Sequence, residues 1–374
     1  MKKTIYKYFF HEFIRYFATT LFALAVIVWT VQTVNYLDLV TEDGHAFTVF
    51  FLYSSLTLSK VLTKLIPFCF LVATILTILK LEKDNELIVL WTSGLNKIHI
   101  VNLIIRISVL IMILQLILTT VINPILLNFS RGLLKNSELQ FIPSLLKEKQ
   151  FNDTVESLTV FVGEKDKNGI YSNIFIRDES KILSDVSNAS STIIAKKGYL
   201  SENEKKLILL NGSIQKLEPD GNINIVKFEK TTLNLRGLST KSISAPKIQE
   251  TSTIQILQCI MNKNTLMQNC TENKKTQMDN KIEINKRFGM PVFIPLISLI
   301  CCFLLASRKD KKNYSFSKYI YFFMGFFVLA AAEILVRYSG TSWSHTTVYY
   351  MMPILISPLF YFILIRTFKY ENLS

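Results

Sequence analysis

The residue types that catalyse reactions or bind metals are present, but they are not arranged as a site. The chain contains no G-x-x-x-x-G-K-[ST] motif, so it has no P-loop with which to hydrolyse a nucleotide. No serine or cysteine lies in a recognisable nucleophile motif. The four histidines are scattered along the chain and make no metal-binding constellation: His11, His45, His99 and His345. We therefore expect a non-catalytic protein with no metal and no cofactor.

Two pairs of charged residues, each spaced four apart, are candidates for binding or gating. Glu333 and Arg337 lie near the end of an apolar run, and their spacing places them on one face of a helix. They form either an ion pair at a membrane edge or a polar site lining a cavity or gate, because charges inside a membrane are costly. Arg131 and Lys135 follow another apolar run. They form either a solvated helix face or a contact for an anionic lipid head group.

The five cysteines divide by position. Cys259 and Cys270 fall in a polar segment, where they form either a disulfide or two free thiols. Cys69, Cys301 and Cys302 lie within apolar runs and are predicted to be packing residues.

The apolar residues are concentrated in runs long enough to cross a bilayer. Of 374 residues, 50% are hydrophobic and only 19% are charged. About 20 consecutive apolar residues are needed for a transmembrane helix. The runs predict a polytopic α-helical membrane protein with six transmembrane helices: Phe17–Leu37, Phe50–Leu79, Ile98–Ile122, Met290–Ala306, Tyr319–Val336 and Val348–Ile365.

Lysine and arginine are concentrated in alternate loops, and this pattern orients the spans. The N-terminal arm, the 307–318 loop and the C-terminal tail are basic, whereas the 38–48 loop carries only acidic charges. We expect both termini and the turn between the second and third runs to be cytoplasmic. The formal net charge of +14 partly reflects this topology. No basic helix or aromatic-basic module accompanies it, so we expect no nucleic-acid partner.

The segment between the third and fourth runs is predicted to be a small extracytoplasmic β domain of sandwich or jelly-roll type. Its middle alternates apolar and polar residues, as half-buried strands do. The candidate strands are Leu158–Val162, Ile170–Arg177, Thr192–Lys196, Leu207–Lys216 and Ile223–Leu235, and the turn dipeptides are Asn168-Gly169, Asn211-Gly212 and Asp220-Gly221. Pro246 closes the domain, and Thr253–Asn285 reads as a polar helical connector. The domain is either a rigid cap or a groove for an apolar or amphipathic ligand.

These features predict three parts. Residues 1–125 hold three transmembrane helices, residues 126–287 hold the β domain and its connector, and residues 288–374 hold the last three transmembrane helices. Between the second and third runs, Leu81–Lys97 begins with four charged residues, continues as an apolar patch and reaches Ser93-Gly94. That order predicts a short amphipathic helix stopped by glycine. A short helix between two spans is a lever that another protein could push.

This arrangement resembles the LptF/LptG permeases, the transmembrane subunits of the lipopolysaccharide export ABC transporter. The resemblance covers essentially the whole chain and rests on the order and lengths of its parts. Two stretches around Val160–Val162 with Asn173–Ile176, and around Ala195 with Gly198–Leu200, favour LptF over LptG. The matching motif residues are Ile5, Lys7, Tyr8, Glu12 and Phe13, then Pro67, Asn85-Glu86-Leu87 with Ser93-Gly94, Asn123-Pro124, and Arg287 with Pro291.

The resemblance implies a bacterial inner-membrane protein that works in a complex. A paralogous six-span subunit would pair with it, and the heterodimer would enclose a cavity for lipopolysaccharide. A cytoplasmic ABC ATPase dimer would drive the pair through Leu81–Lys97, where Glu86 would pair with a basic residue of the ATPase. The expected contacts beside Glu86 are Leu87, Leu90, Trp91 and Gly94. The first and fifth spans would form lateral gates, and the β domain would pass lipid to a matching jelly roll in a periplasmic bridge.

One part of the chain departs from the family pattern. Members tend to place basic residues near the outer end of the first span, where lipid phosphates bind. This chain has Gln32, Asn35 and Asp38 there. Arg131, Lys135 or Arg337 would then take that role.

Two other functions compete with export. A membrane-anchored sensor or scaffold with a ligand-binding β domain predicts no ATPase partner and tolerance of Glu86→Ala. A secondary transporter would favour ionisable residues at the middle of its spans, where this chain has almost none.

Overall fold

A computed structural model describes most of the chain, and the following applies to the residues it describes. They are residues 2–41, 45–136, 146–153, 158–166, 169–179, 191–201, 206–217, 223–234, 247–261, 270, 274–306 and 314–371. They form two compact units. The first unit comprises Met1–Val31, Leu56–Asn128 and Lys247–Ser374, and the second comprises Gln32–Ser55 and Phe129–Pro246.

The prediction of six transmembrane helices is confirmed. Six helical segments are long and apolar enough to cross a membrane: Thr4–Thr41, Phe47–Lys83, Lys97–Lys135, Lys274–Ala306, Lys318–Tyr338 and Trp343–Lys369. The α-helices are α1 (Lys2–Asn35), α2 (Asp38–Thr41), α3 (Phe47–Lys83), α4 (Glu86–Thr92), α5 (Lys97–Ile117), α6 (Asn123–Asn136), α7 (Thr253–Ile260), α8 (Lys274–Cys302), α9 (Tyr314–Tyr338) and α10 (Trp343–Glu371). A π-helical turn, Leu118–Ile122, joins α5 to α6, and 3₁₀ turns lie at Ile248–Glu250 and Phe303–Ala306.

Helix α8 is the centre of the first unit. Of its most apolar window, 72% is buried, against 11% for α1 and 17% for each of α9 and α10. Gly289 lets the Tyr349 ring lie so close to α8 that an added Cβ would meet a ring carbon at 2.1 Å. α8 therefore packs inside the bundle, whereas α1, α9 and α10 keep most of their apolar surface exposed.

The predicted connector is partly helical and partly fused to the fourth span. Ser252 caps α7 by accepting a hydrogen bond from the Gln255 backbone, and the Gln255 side chain accepts one from the Ser252 backbone. α8 then begins at Lys274, so the polar residues before Met290 continue directly into the apolar span. Pro291 and Pro295 lie inside that helix.

The second unit contains a six-stranded antiparallel sheet whose strands follow one another in chain order. The five predicted strands are confirmed, and β1 was missed because it has only two residues. The strands are β1 (Phe151–Asn152), β2 (Leu158–Lys165), β3 (Ile170–Asp178), β4 (Ser191–Ser201), β5 (Lys206–Leu217) and β6 (Ile223–Asn234). The described strands form one meander, and the jelly-roll arrangement stays a prediction.

A transverse crease crosses this sheet. At one row the ladder pairing is interrupted in five strands, at Gly163, Asn173, Lys196, Asn211 and Glu229. Both asparagines have a positive φ, 55° for Asn173 and 52° for Asn211, a conformation that asparagine tolerates better than most residues. The buried face consequently shifts by one residue, as in β3.

The predicted turn at Asn211-Gly212 is wrong, because β5 runs straight through it. A Cβ on Gly212 would lie 2.3 Å from the Ile194 carbonyl oxygen, so the dipeptide marks the crease and not a strand end. At the predicted Asn168-Gly169 turn, Gly169 has φ +76° and donates its N–H to Asp166 O at 2.9 Å. Asn168, Asp220-Gly221, Leu235 and Pro246 lie outside the described residues.

A polar cavity in the helical unit and a short helix at a bundle end

The first unit contains a cavity of about 300 Å³ among α3, α5, α6, α8 and α9. Its wall combines charged, neutral polar and apolar side chains. The lining residues are Lys60, Thr63, Lys64, Pro67, Gln115, Thr119, Asn123, Leu127, Gln249, Glu283, Lys286, Arg287, Met290 and Glu333.

The charged residues of the cavity wall are mostly cationic. Lys60, Lys64, Lys286 and Arg287 face only two carboxylates, those of Glu283 and Glu333, which leaves a formal charge of four minus two, or +2. Lys286 Nζ lies 2.6 Å from Glu333 Oε1, and Arg287 Nε lies 2.9 Å from Glu283 Oε1. Within the described residues, Lys60 and Lys64 make no salt bridge. An anion is therefore the ligand that the charges of this cavity favour.

The neutral polar residues of the cavity wall form a network of amides and hydroxyls. Asn123 Nδ2 donates to Thr63 Oγ1 at 2.9 Å, and the Ser59 hydroxyl donates to Asn123 Oδ1. Gln115 Nε2 donates to the Thr63 carbonyl at 3.2 Å. Gln115 is buried and its Oε1 has no hydrogen-bond partner among the described residues. A hydroxyl-bearing ligand could satisfy that acceptor.

A buried arginine joins α8 to the segment that enters the bundle. The Arg287 side chain is only 3% exposed, and its Nη1 donates to Thr253 Oγ1 at 2.9 Å. Nη2 donates to the carbonyl oxygens of Ile248, Gln249 and Thr251 at 3.4, 3.2 and 3.1 Å. These oxygens belong to the 3₁₀ turn and the residues before α7. One guanidinium therefore donates to carbonyl oxygens at the end of the 3₁₀ turn, where a helical turn leaves its last carbonyl groups open.

The π-helical turn fits into the same cluster. Thr253 Oγ1 donates to the Thr120 carbonyl at 2.6 Å, and Thr119 Oγ1 donates to the Arg287 carbonyl at 3.0 Å. A π-helical turn disturbs the regular hydrogen-bond ladder, and such turns are frequent at functional sites. The π-helical turn of the third span therefore bonds to the fourth span through Thr119 and to α7 through Thr120.

At the bundle end that carries the N-terminus, α4 forms the short helix predicted within Leu81–Lys97. Asn85 starts it in the left-handed conformation, with φ 56°. Gly94 ends it with φ +80° and donates to Trp91 O at 3.1 Å, and Leu95 N donates to Leu90 O at 3.2 Å. Asn96 then caps α5 by accepting from Ile98 N at 3.1 Å.

Two residues of α1 hold this end in place. Tyr8 Oη donates to Glu86 Oε1 at 2.9 Å, and Lys80 Nζ lies 2.7 Å from Glu12 Oε2. Lys97 Nζ donates to the Leu305 carbonyl at 3.2 Å and lies 5.7 Å from the centroid of the Trp91 ring. α4 consequently contacts α1 through Glu86, and its Trp91 ring lies against Lys97 of α5, which bonds to the 3₁₀ turn after α8.

The apolar side chains of α4 divide between the core and the surface. Leu87 is buried, and Leu90 and Trp91 pack against the core at its edge. Ile88 and Val89 are the exposed ones, at 53% and 64%. A groove of about 440 Å³ runs beside them and is lined by Thr4, Ile5, Tyr8, Phe9, Leu81, Asp84, Glu86, Val89 and Leu90.

A family model described as lipopolysaccharide export system permease LptF/LptG matches residues 7–368. The chain belongs to the LptF/LptG family. It is also 27% identical over 239 residues to the uncharacterized protein RP871 of Rickettsia prowazekii (strain Madrid E). That alignment covers 63% of this chain and 64% of the relative, so the chain spans less than two thirds of the relative's length. The six spans and the family together make it a multi-pass inner-membrane protein.

In this LptF/LptG chain, three of the residues that match the family's motifs line the cavity. Pro67, Asn123 and Arg287 lie on three different spans and all line it. Tyr8, Glu12 and Glu86 meet instead at the α4 end. The family match does not separate LptF from LptG, and that assignment stays a prediction.

The predicted charged pairs have different environments. Glu333 lines the cavity and pairs with Lys286, 47 residues away, whereas Arg337 is exposed and makes no salt bridge within the described residues. Arg131, half-buried, and Lys135, exposed, lie in the part of α6 that belongs to the second unit and are not among the lining residues of the cavity.

Sequence reasoning missed most of the cavity. Lys60, Lys64, Glu283 and Lys286 were not singled out, although a lysine pair four apart inside a long apolar run was a signal. Glu283 and Lys286 were read as part of a polar connector. Both residues lie on α8, because this helix begins at Lys274 and not at the predicted start of the fourth span, Met290.

The two candidate disulfide cysteines are close together. Their Sγ atoms are joined at 2.18 Å, and their Cα atoms lie 5.7 Å apart. Asn280 Nδ2 on α8 donates to Cys259 Sγ at 3.5 Å. The other three cysteines are buried as free thiols.

Proposed function

We propose that this chain is the transmembrane permease subunit of an ABC transporter that extracts lipopolysaccharide from the inner membrane. It passes the lipid to a periplasmic bridge for transport to the outer membrane. The observation that carries the proposal is the cavity of net charge +2 enclosed by membrane-spanning helices, in a member of the LptF/LptG family.

The cavity has the chemistry of a phosphorylated sugar head group. Lysines without a salt bridge within the described residues suit phosphate oxygens, and the amides and hydroxyls of Gln115, Thr119 and Asn123 suit sugar hydroxyls. Pro67, Leu127 and Met290 supply apolar wall where acyl chains leave the head group. Charges in a membrane-spanning segment are costly, and a polar ligand offsets that cost.

Export needs energy, and the chain has no P-loop to provide it. An ABC ATPase dimer must therefore contact the chain, and we assign that contact to α4. Its exposed Ile88 and Val89 beside the Glu86 carboxylate offer an apolar patch next to a charge. Because Glu86 of α4 bonds to α1 and Trp91 of α4 lies against Lys97 at the start of α5, a push on α4 would reach both helices.

The β domain is assigned the transfer step. Its sheet carries a groove of about 770 Å³ along the crease, with Phe161, Phe175 and Ile194 beside Lys196 and Lys227. An apolar wall edged by lysines suits an amphipathic lipid with anionic groups. In this proposal the domain faces the periplasm, both termini lie in the cytoplasm, and a paralogous six-span subunit completes the lipid chamber.

The cavity is tested by neutralising Lys60 and Lys64 together. We expect Lys60→Gln combined with Lys64→Gln to lower the lipopolysaccharide that copurifies with the full chain by roughly ten-fold, since two charge contacts are lost. Lys83→Gln is the matched control, because Lys83 lies on the same helix and is exposed outside the cavity. Equal lipid content in the double variant and the control would refute the assignment.

The complex is tested by isolating the tagged full chain in mild detergent. An ATPase and a second six-span subunit should copurify in fixed ratio. If neither does, the export proposal fails. Normal lipid transport by Glu86→Ala would then favour the sensor or scaffold with a ligand-binding β domain.

A further inference from the structure

The Lys286–Glu333 ion pair connects two membrane-spanning helices, although an ion pair of this kind adds little to stability. It joins α8, the most buried span, to α9, one of the least buried. Both side chains line the cavity and remain partly accessible, at 32% for Lys286 and 40% for Glu333. An ion pair this exposed is weak, because water screens it and two long side chains lose freedom.

The contacts of α9 differ along its length. Toward its end, buried Asn285 on α8 donates its Nδ2 to Ser339 Oγ at 2.9 Å, and Thr346 Oγ1 donates to the Ser339 carbonyl. Near its middle, α9 packs against α3 through apolar groups. Gly325 lies against Leu71 of α3, where an added Cβ would meet a side-chain carbon at 2.5 Å. The ring of Phe326 packs edge-on against the ring of Phe68, with centroids 6.3 Å apart.

Those two kinds of contact respond differently to lipid. A hydrogen bond such as Asn285–Ser339 joins a specific donor and acceptor that lipid tails cannot replace, whereas lipid tails can replace helix–helix apolar packing. Ser339 is therefore suited to be a pivot. Glu333 precedes it by six residues, about 9 Å along a helix at 1.5 Å per residue. Release of Glu333 would remove a polar contact between α8 and α9 that lies on the other side of the middle of α9 from its apolar contacts with α3.

Resting on the proposed function, we propose that the Lys286–Glu333 pair is a latch that the anionic group of the substrate opens. Glu333 neutralises Lys286 while the cavity is empty. A phosphate group entering beside Lys60 and Lys64 carries more charge than one carboxylate and takes Lys286 from Glu333. Helix α9 then moves away from α8 about its Ser339 end. Ligand binding and this movement are thermodynamically coupled, so each favours the other.

The neighbouring carboxylate provides a matched control. Glu283 also lines the cavity, but it pairs with Arg287 on its own helix, four residues away. Glu283→Gln and Glu333→Gln therefore remove the same charge from the same cavity. Only Glu333→Gln removes a contact between α8 and α9.

The movement can be measured with spin labels. Phe323 on α9 and Ile113 on α5 are exposed, at 62% and 51%, and are replaced by cysteine in the full chain. The native thiols Cys69, Cys301 and Cys302 are fully buried and Cys259 is bonded to Cys270, so labelling is confined to the two new sites. Distances are recorded by double electron–electron resonance in phosphatidylcholine nanodiscs, with purified lipopolysaccharide or its dephosphorylated form as the probe.

With the wild-type pair, lipopolysaccharide should add a longer-distance population and the dephosphorylated form should not. Glu333→Gln should show that population without any ligand and should half-saturate at a lipopolysaccharide concentration lower by roughly five-fold. Glu283→Gln should keep the wild-type distance when no ligand is present. Identical ligand-free distances in Glu333→Gln and the wild type would overturn the latch, as would identical behaviour of the two glutamine variants.

Failure of the proposed function gives a different result. If the wild-type chain binds no lipopolysaccharide, measured as lipid phosphate retained in the nanodiscs, the permease assignment fails and the substrate-opened latch fails with it. If lipopolysaccharide binds and the distance does not change, the latch alone is overturned.

Discussion

The Tyr8 hydroxyl donates to Glu86 Oε1 at 2.9 Å, across 78 residues of sequence. This bond ties the beginning of the first span to the first residue of α4. Glu86 is half-exposed, so one carboxylate oxygen serves the chain while the carboxylate still faces solvent. Substitutions can consequently separate the contact that Glu86 would make with a partner from the bond that anchors Glu86 to Tyr8.

Glu86→Lys should uncouple ATP hydrolysis from lipid release while the protein still folds, because it reverses the charge offered to the ATPase. Tyr8→Phe removes only the internal bond and should retain coupling. Both are measured as lipopolysaccharide released per ATP hydrolysed by the reconstituted complex. Normal release by Glu86→Lys would refute the coupling role.

Val89→Asp should weaken copurification of the ATPase by roughly ten-fold or more, because a charge would be buried without a partner in the interface. Thr92→Asp places the same charge on an exposed residue of the same helix and is the control. Quantitative pull-down of the tagged chain distinguishes them. Equal ATPase recovery would remove the exposed face of α4 from the interface.

Arg287→Lys should destabilise the first unit by about 2–3 kcal/mol, since an ammonium cannot reach Thr253 and the three carbonyl oxygens together. The exposed Arg337→Lys should change stability by less than about 0.5 kcal/mol. Thermal unfolding in detergent measures both. Similar midpoints for the two variants would contradict the role assigned to the Arg287 contacts.

Gly212→Ala should destabilise the β domain by about 2 kcal/mol or more, because the new methyl group would meet the Ile194 carbonyl oxygen. Gly132→Ala is the control, since nothing lies within 4 Å of that added Cβ and alanine favours a helix. Limited proteolysis followed by mass spectrometry reports on the β domain of each variant. Equal protection would show that the crease tolerates a side chain.

The Cys259–Cys270 bond closes a loop with a sequence separation of 11 residues. Reducing it, or replacing both cysteines by serine, should lower stability by about 2–3 kcal/mol. Alkylation of the unfolded chain without reductant should modify Cys69, Cys301 and Cys302 and spare this pair. Alkylation of Cys259 under those conditions would show that the thiols are free.

The sequence predicted features that depend on neighbouring residues, and it missed features that depend on contacts between residues far apart in the chain. Alternation of apolar and polar residues was enough to locate β2 to β6, because side chains alternate across a strand wherever it pairs. The same local logic misplaced a turn at Asn211-Gly212. There the asparagine and glycine allow two neighbouring strands to approach closely. That approach cannot be recognised from a single stretch of sequence.

By itself, the sequence determined the six spans, the inserted strands, the glycine-stopped helix after Glu86 and the absence of a P-loop. Each depends on composition or on spacing within one segment. Only the tertiary structure decided that Glu333 pairs with Lys286 and not with Arg337, and that Lys60, Asn123 and Arg287 share one cavity. Those contacts join residues 47 or more positions apart, and which face of each span turns inward depends on its neighbours in the bundle.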